Sequence, residues 1–186
     1  MSDNYELVPV DGNPIDKSGI QNILDSIRPV WKGRNLIQRV ERLLPVDASS
    51  ACQRIFNAAT HDLKEKIIVI GVDLAKEVAS NYRLPPINKE EDVLDYNVSK
   101  TIDLAYRIGI LTRPEWRRIH RCYEIRRDLE HEDNEYEAVL EDCFYIFKSA
   151  IDIILSKDPI ELLKVTDAKD LVECDTNMTP TEEFLN

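Results

Sequence analysis

Residues 113–131 read RPEWRRIHRCYEIRRDLEH, and the way this stretch divides into faces decides the fold. At 100° per residue, Trp116, Ile119, Cys122, Tyr123, Ile125 and Leu129 form one broad apolar arc, the pattern of an amphipathic helix rather than a strand. Thr112-Arg113-Pro114-Glu115 opens that helix with a capping signature and a proline inside the first turn. Arg126 falls near the middle of the apolar arc. A guanidinium there must be paired or serve a desolvated site, because an unpartnered buried charge is very costly. On the opposite face His120, Glu124, Arg127 and His131 line up within about 60°.

Outward from this helix, apolar residues recur at helical spacing and no strand alternation appears. Short helices are expected at about 20–28 and 31–44, punctuated by Pro29 and Pro45. A long helix is expected from about 48 to 82, capped by Asp47 and ended by Pro85-Pro86. Another runs from about 89 to 108, opened by Asn88-Lys89-Glu90-Glu91 and stopped by Gly109. After 113–131, a last helix at about 134–156 opens with Asn134-Glu135-Tyr136-Glu137. Short links between long amphipathic helices predict an all-α, up-and-down bundle of four main helices with extra short N-terminal helices. The bundle domain occupies residues 20–156, with its motif region at 107–136. An arm at 1–19 carries Pro9, Gly12, Pro14 and Gly19 among polar residues, and an acidic extension fills 157–186.

Composition narrows the function classes. With only 5 glycines in 186 residues, little material is left for phosphate-cradling loops, which disfavours Rossmann and P-loop folds. Thirty-five acidic side chains against 24 basic ones give a net charge of -11, so a broad duplex-wrapping surface is not expected. Cys52, Cys122, Cys143 and Cys174 show no CxxC pair and read as reduced thiols of a cytoplasmic protein. No signal-peptide pattern and no run of membrane-spanning length appears, so no membrane association is expected.

Charge is unevenly spread. Residues 157–186 hold eight carboxylates and three lysines, whereas 107–131 holds seven arginines and four carboxylates. No lysine occurs from 101 to 147. Arginine's planar fork suits bidentate contacts with phosphate or carboxylate, and this island is the candidate binding surface. The competing reading is a solvated helix face laced with ion pairs such as Arg121 with Glu124.

The stretch Cys122-Tyr123-Glu124-Ile125-Arg126-Arg127-Asp128-Leu129-Glu130-His131 resembles the Arg-x4-His motif of the HEPN superfamily, helical bundles with many metal-independent ribonucleases. The resemblance covers roughly residues 48–156. It implies a homodimer in which two motifs face one cleft, with Arg126 holding the scissile phosphate and His131 acting as general acid/base in attack by the ribose 2′-hydroxyl. No cofactor or metal is implied. Arg127, Arg121, Arg118, His120, Asp128 and Tyr136 would bind RNA or support the site. An RNA substrate, and a toxin or defence role with an antitoxin as protein partner, follow from the same resemblance. Histidine titrates near neutral pH and a guanidinium can stabilise developing negative charge, so the residue types suit that chemistry. This chain has Arg127 where the family usually has a small polar residue, and Arg126 and His131 lie about 140° apart on an ideal helix.

A second resemblance joins Ile102-Asp103-Leu104-Ala105-Tyr106-Arg107-Ile108-Gly109-Ile110-Leu111 to Arg126-Arg127-Asp128-Leu129-Glu130-His131-Glu132-Asp133-Asn134-Glu135-Tyr136. Together these are similar to the mannitol operon repressor (MtlR) family, over perhaps residues 60–150. That similarity implies a noncatalytic regulator acting through protein partners. Arg126 and His131 would then be structural. The residues themselves allow a matching reading, with Arg126 in a buried ion pair, His131 at the helix dipole, and Tyr136 in the core at helical spacing with Leu140 and Cys143.

Other chemistries fit less well. His120 and His131 are about 16 Å apart along a helix and cannot share a metal within one chain. Paired Glu-x-x-His motifs for a di-iron site are absent. His61-Asp62 is expected on the surface of its helix. The final helix is apolar over a wide arc, which predicts burial on two sides and hence a dimer interface.

Overall fold

Asp47 starts the longest helix among the described residues: its Oδ1 accepts from the Ser50 amide at 2.9 Å, and the Ser50 hydroxyl followed by that amide holds its carboxyl below the usual range. The computed structural model describes residues 20–130 and 140–159, an all-α bundle with no strand among them. Three short helices, α1 (Ile20–Leu24), α2 (Pro29–Lys32) and α3 (Asn35–Leu43), precede the long α4 (Ala48–Ile70). The helix expected at 48–82 is interrupted. Gly71 turns the chain at φ +131° and ψ +133°, a backbone that only glycine adopts cheaply, and α5 (Val72–Asn81) follows.

The segment 89–108 is likewise two helices, α6 (Glu90–Leu94) and α7 (Val98–Ile108). Asp92, not Asn88, caps the first, accepting from the Asn88 and Lys89 amides at 2.7 and 3.1 Å. Asn97 caps the second through the Lys100 amide at 2.9 Å. Two N-terminal caps within ten residues begin two separate helices, where hydrophobic spacing alone shows a single run. Gly109 closes α7 at φ +94°, as expected of a glycine stop. Glu115 then accepts from the Thr112 amide and hydroxyl at 2.9 and 2.7 Å, and α8 (Arg113–Glu130) begins. The last helix, α9 (Leu140–Ala150), widens into a π-helical turn at Ile151–Leu155. The expected opening at Asn134–Glu137 and both arms, apart from residues 157–159, lie outside the described residues.

Helix directions follow from a few contacts. Cys143 Sγ meets the Ala48 carbonyl at 3.8 Å, and Lys66 Nζ donates to the Ile154 carbonyl at 2.5 Å, so α4 and α9 run the same way. Glu115 pairs with Lys157 at 2.5 Å, and Arg118 bonds Ser149 at 3.4 Å, so α8 runs against them. Between these helices and α7, Ile55, Phe56, Leu63, Ile67, Ile102, Ile119, Ile146, Phe147 and Ile154 are almost wholly buried. Each such side chain stabilises the fold by about 1.5–3 kcal/mol. The apolar arc of α9 is covered within one chain by α4, α8 and α1, so its width does not by itself call for a second copy.

The N-terminal helices are fastened by charge. Arg34 makes a bidentate pair with Glu65 at 2.8 and 3.0 Å and stacks 4.0 Å over the Trp31 ring. Arg28 reaches further in, bonding Asp62 and, through its amide and Nε, the Leu155 carbonyl at 3.1 and 3.2 Å. Asp62 also pairs with Lys66 at 3.1 Å. The surface position expected for His61-Asp62 therefore holds for His61 alone; the Asp62 side chain is 3% exposed. Its partner Arg28 is 34 residues away, a pairing that local periodicity does not reveal.

Candidate functional site

The arginine island lies on α8 and the end of α7, and its side chains fall into rows set by helical spacing. Arg118, Cys122 and Arg126, four residues apart, form the inner row. Arg118 Nη2 donates to Ser149 Oγ at 3.4 Å. Cys122 is fully buried, and burial pushes its thiol up to about 12 against the opposing pull of Ser149 and Arg118. It therefore stays protonated near neutral pH and is no nucleophile. Burial also raises Tyr145, which shares the surroundings of Arg118. Arg126 is half-buried, in keeping with its place in the apolar arc.

A second row runs along the rim of the core: Trp116 and Tyr123, partly buried against it, with the half-buried His120 and the exposed Arg127. The Trp116 and His120 rings lie 5.4 Å apart and those of His120 and Tyr123 6.1 Å apart. Trp116 also meets Tyr106 of α7 at 5.5 Å and donates Nε1–H to Asp103 at 3.1 Å. Arg127 is exposed, with Nε 4.0 Å from Asp128. Beside this row Glu124 gathers His120 at 3.9 Å and Arg121 at 3.4 Å.

The structure thus brings His120, Arg121 and Glu124 together, and Arg127 with Asp128, while Arg118 serves the packing of α8 on α9. It does not bring Arg126 beside His120, since six residues on one helix set them about 120° apart. His131 and Tyr136 lie outside the described residues. Helix α8 is continuous through Glu130, so Arg126 and Arg127 leave it in directions about 100° apart.

No family model, curated protein or solved structure matches this chain. The chemistry of the site therefore rests on its own residues. No helix among the described residues is long and apolar enough to cross a membrane. Among those residues, no group of three or more His, Cys, Asp or Glu side chains is placed to hold a metal ion. A cavity of about 320 Å³, lined by Pro85, Asp95, Tyr96 and Lys100 among others, sits at the N-terminal end of α7. Arg107 is at the other end of that helix.

Two features escaped the sequence reading. The ring row at 116, 120 and 123 has the i, i+4, i+7 spacing of one helix face and could have been found. Its continuation is tertiary: Arg107 stands 4.2 Å over the Tyr82 ring and 5.2 Å over the Tyr106 ring, joining the ends of α5 and α7.

Proposed function

We propose that this chain is a HEPN-like, metal-independent endoribonuclease that works as a homodimer, in a toxin or defence setting. The observation that supports it is Arg126 near the end of an arginine-rich α8, with His131 five residues on in the sequence, within an all-α bundle whose next described helix is the core helix α9. In this reading Arg126 neutralises the scissile phosphate. The ribose 2′-hydroxyl gives its proton to a base and attacks phosphorus. The bond to the 5′-oxygen breaks and that oxygen takes a proton, leaving a 2′,3′-cyclic phosphate and a 5′-hydroxyl. His131 moves the protons, which a group titrating near neutral pH can do. Because α8 runs straight to Glu130, Arg126 and His131 act together through the chain beyond that residue or through the partner copy. Purified protein should cut single-stranded RNA in EDTA and lose that activity with His131→Ala while keeping its helical circular dichroism.

The bond between Arg118 and Ser149 favours a second reading, in which inner-row arginines are structural and the chain is an MtlR-like regulator that binds a protein partner. His131→Ala would then lower the melting temperature.

A further inference from the structure

Tyr82, Arg107, Tyr106, Trp116, His120 and Tyr123 form one continuous run of rings and guanidinium across three helical segments. The links are 4.2, 5.2, 5.5, 5.4 and 6.1 Å in that order. Part of the run reaches solvent: Tyr82 is 50% exposed and the His120 side chain 35%, while Tyr106, Trp116 and Tyr123 pack against the core and keep a smaller part of their surface open. A row of exposed arginines flanks it. On α8, Arg113 and Arg117 lie about 60° to 120° around the helix from Trp116 and Tyr123, and Arg127 lies between those rings and His120. Among the described residues, Arg107, Arg113 and Arg117 have no carboxylate at ion-pairing distance, whereas Glu115 is committed to Lys157 and Thr112.

We infer that this run is a stacking platform for unpaired bases of a single-stranded RNA, with Arg113 and Arg117 meeting its phosphates. The pairing of aromatic faces with a neighbouring cationic row is what a single strand needs. Every base has a π-face to stack, and the phosphates follow a line of positive charge. A duplex hides its base faces, and the net acidity of the chain disfavours wrapping one. Tyr, Trp and Arg also mark protein-binding hot spots; what favours a polyanion is the flanking pair Arg113 and Arg117, exposed and without a carboxylate at ion-pairing distance among the described residues. The choice of RNA over DNA rests on the ribonuclease reading; the platform itself rests on the ring geometry.

The test uses the full chain carrying His131→Ala, so that bound RNA is not consumed, and a short oligo(U) as probe. Fluorescence anisotropy of a labelled oligo(U) reads the affinity of every variant, and because Trp31 is 2% exposed, tryptophan quenching also reports Trp116 wherever that residue is kept. Quenching at low salt, about tenfold weaker binding with Tyr82→Ala or Trp116→Leu, and a salt slope lowered by roughly 0.7 for each of Arg113→Gln and Arg117→Gln are expected. Tyr82, Arg113 and Arg117 are exposed, so their variants should fold, and circular dichroism checks this. Absence of binding, equal affinity for duplex RNA, or affinity unchanged by Tyr82→Ala and Trp116→Leu would overturn the inference. The two readings separate cleanly. Ring-dependent binding by a wild-type protein that cuts no RNA upholds the platform and removes the nuclease. Cleavage whose KM ignores the ring variants does the reverse.

Discussion

Asp62 and Lys66, one turn apart on α4, form an ion pair of 3.1 Å in which neither side chain is more than 3% exposed. Arg28 completes the group, and the carbonyls of Ile154 and Leu155 in the π-helical turn accept from Lys66 and Arg28. Removing the carboxylate strands two cations among buried groups. Asp62→Ala should cost about 3–5 kcal/mol in urea unfolding, whereas the double change Asp62→Leu with Lys66→Met should cost much less than the sum of its parts. Additive losses would show that the pair is not the unit that holds this region.

The same group sets a dependence on pH. Burial is the largest influence on Lys66 and brings its ammonium down to about 8, against the pull of Asp62. An unfolded lysine titrates near 10.4. Below pH 8 both states carry the proton and the cost of burying it is present in full. Between about 8 and 10.4 the unfolded chain binds more protons, so this residue makes stability rise with pH, on the order of 3 kcal/mol in all. Denaturation of wild type and Lys66→Met between pH 7.5 and about 10 checks it. The difference between the two proteins should move in favour of wild type, and a constant difference would refute the assignment.

Arg83 and Gly109 hold equivalent positions in two helix endings. Leu84 N donates to Ala79 O and Ile110 N to Ala105 O, each at 2.9 Å, with the intervening residue at φ +55° and +94° respectively. Only the second is glycine. Arg83→Gly should stabilise the protein by up to about 1 kcal/mol, and Gly109→Ala should destabilise it by about 1–2 kcal/mol, since no atom within 4 Å would clash with the added methyl and only the backbone is strained. Thermal melts of the two variants should shift in opposite directions.

Cys52, Cys122 and Cys143 are each 1% exposed or less. Iodoacetamide at pH 8 should leave all three unmodified in the native protein and label them after unfolding, as read by peptide mass spectrometry. Native labelling of Cys122 would mean that the α8–α9 contact opens readily.

Much of this fold was legible because its punctuation is local. Asp47, Gly109 and the Thr112–Glu115 pair act within a turn of where they stand in the sequence, and each performs the expected role. Gly71 was equally local, but the hydrophobic periodicity on both sides masked it. Asp92 and Asn97 hide a helix break because both neighbouring segments keep a helical period. The burial of Asp62 depends on Arg28 and on carbonyls some ninety residues away, and no local pattern encodes that. The site divides the same way. The rows of α8 follow from helical spacing, but the joining of Tyr82, Arg107 and Tyr106 to Trp116 is a product of packing.

The most direct measurement is end-group analysis of single-stranded RNA incubated with the purified chain in EDTA. Wild type should produce 2′,3′-cyclic phosphate and 5′-hydroxyl ends, and Arg126→Ala and His131→Ala should each abolish them at unchanged helicity. Intact tRNA, mRNA and rRNA after incubation with wild type, or cleavage that survives both substitutions, would contradict the account.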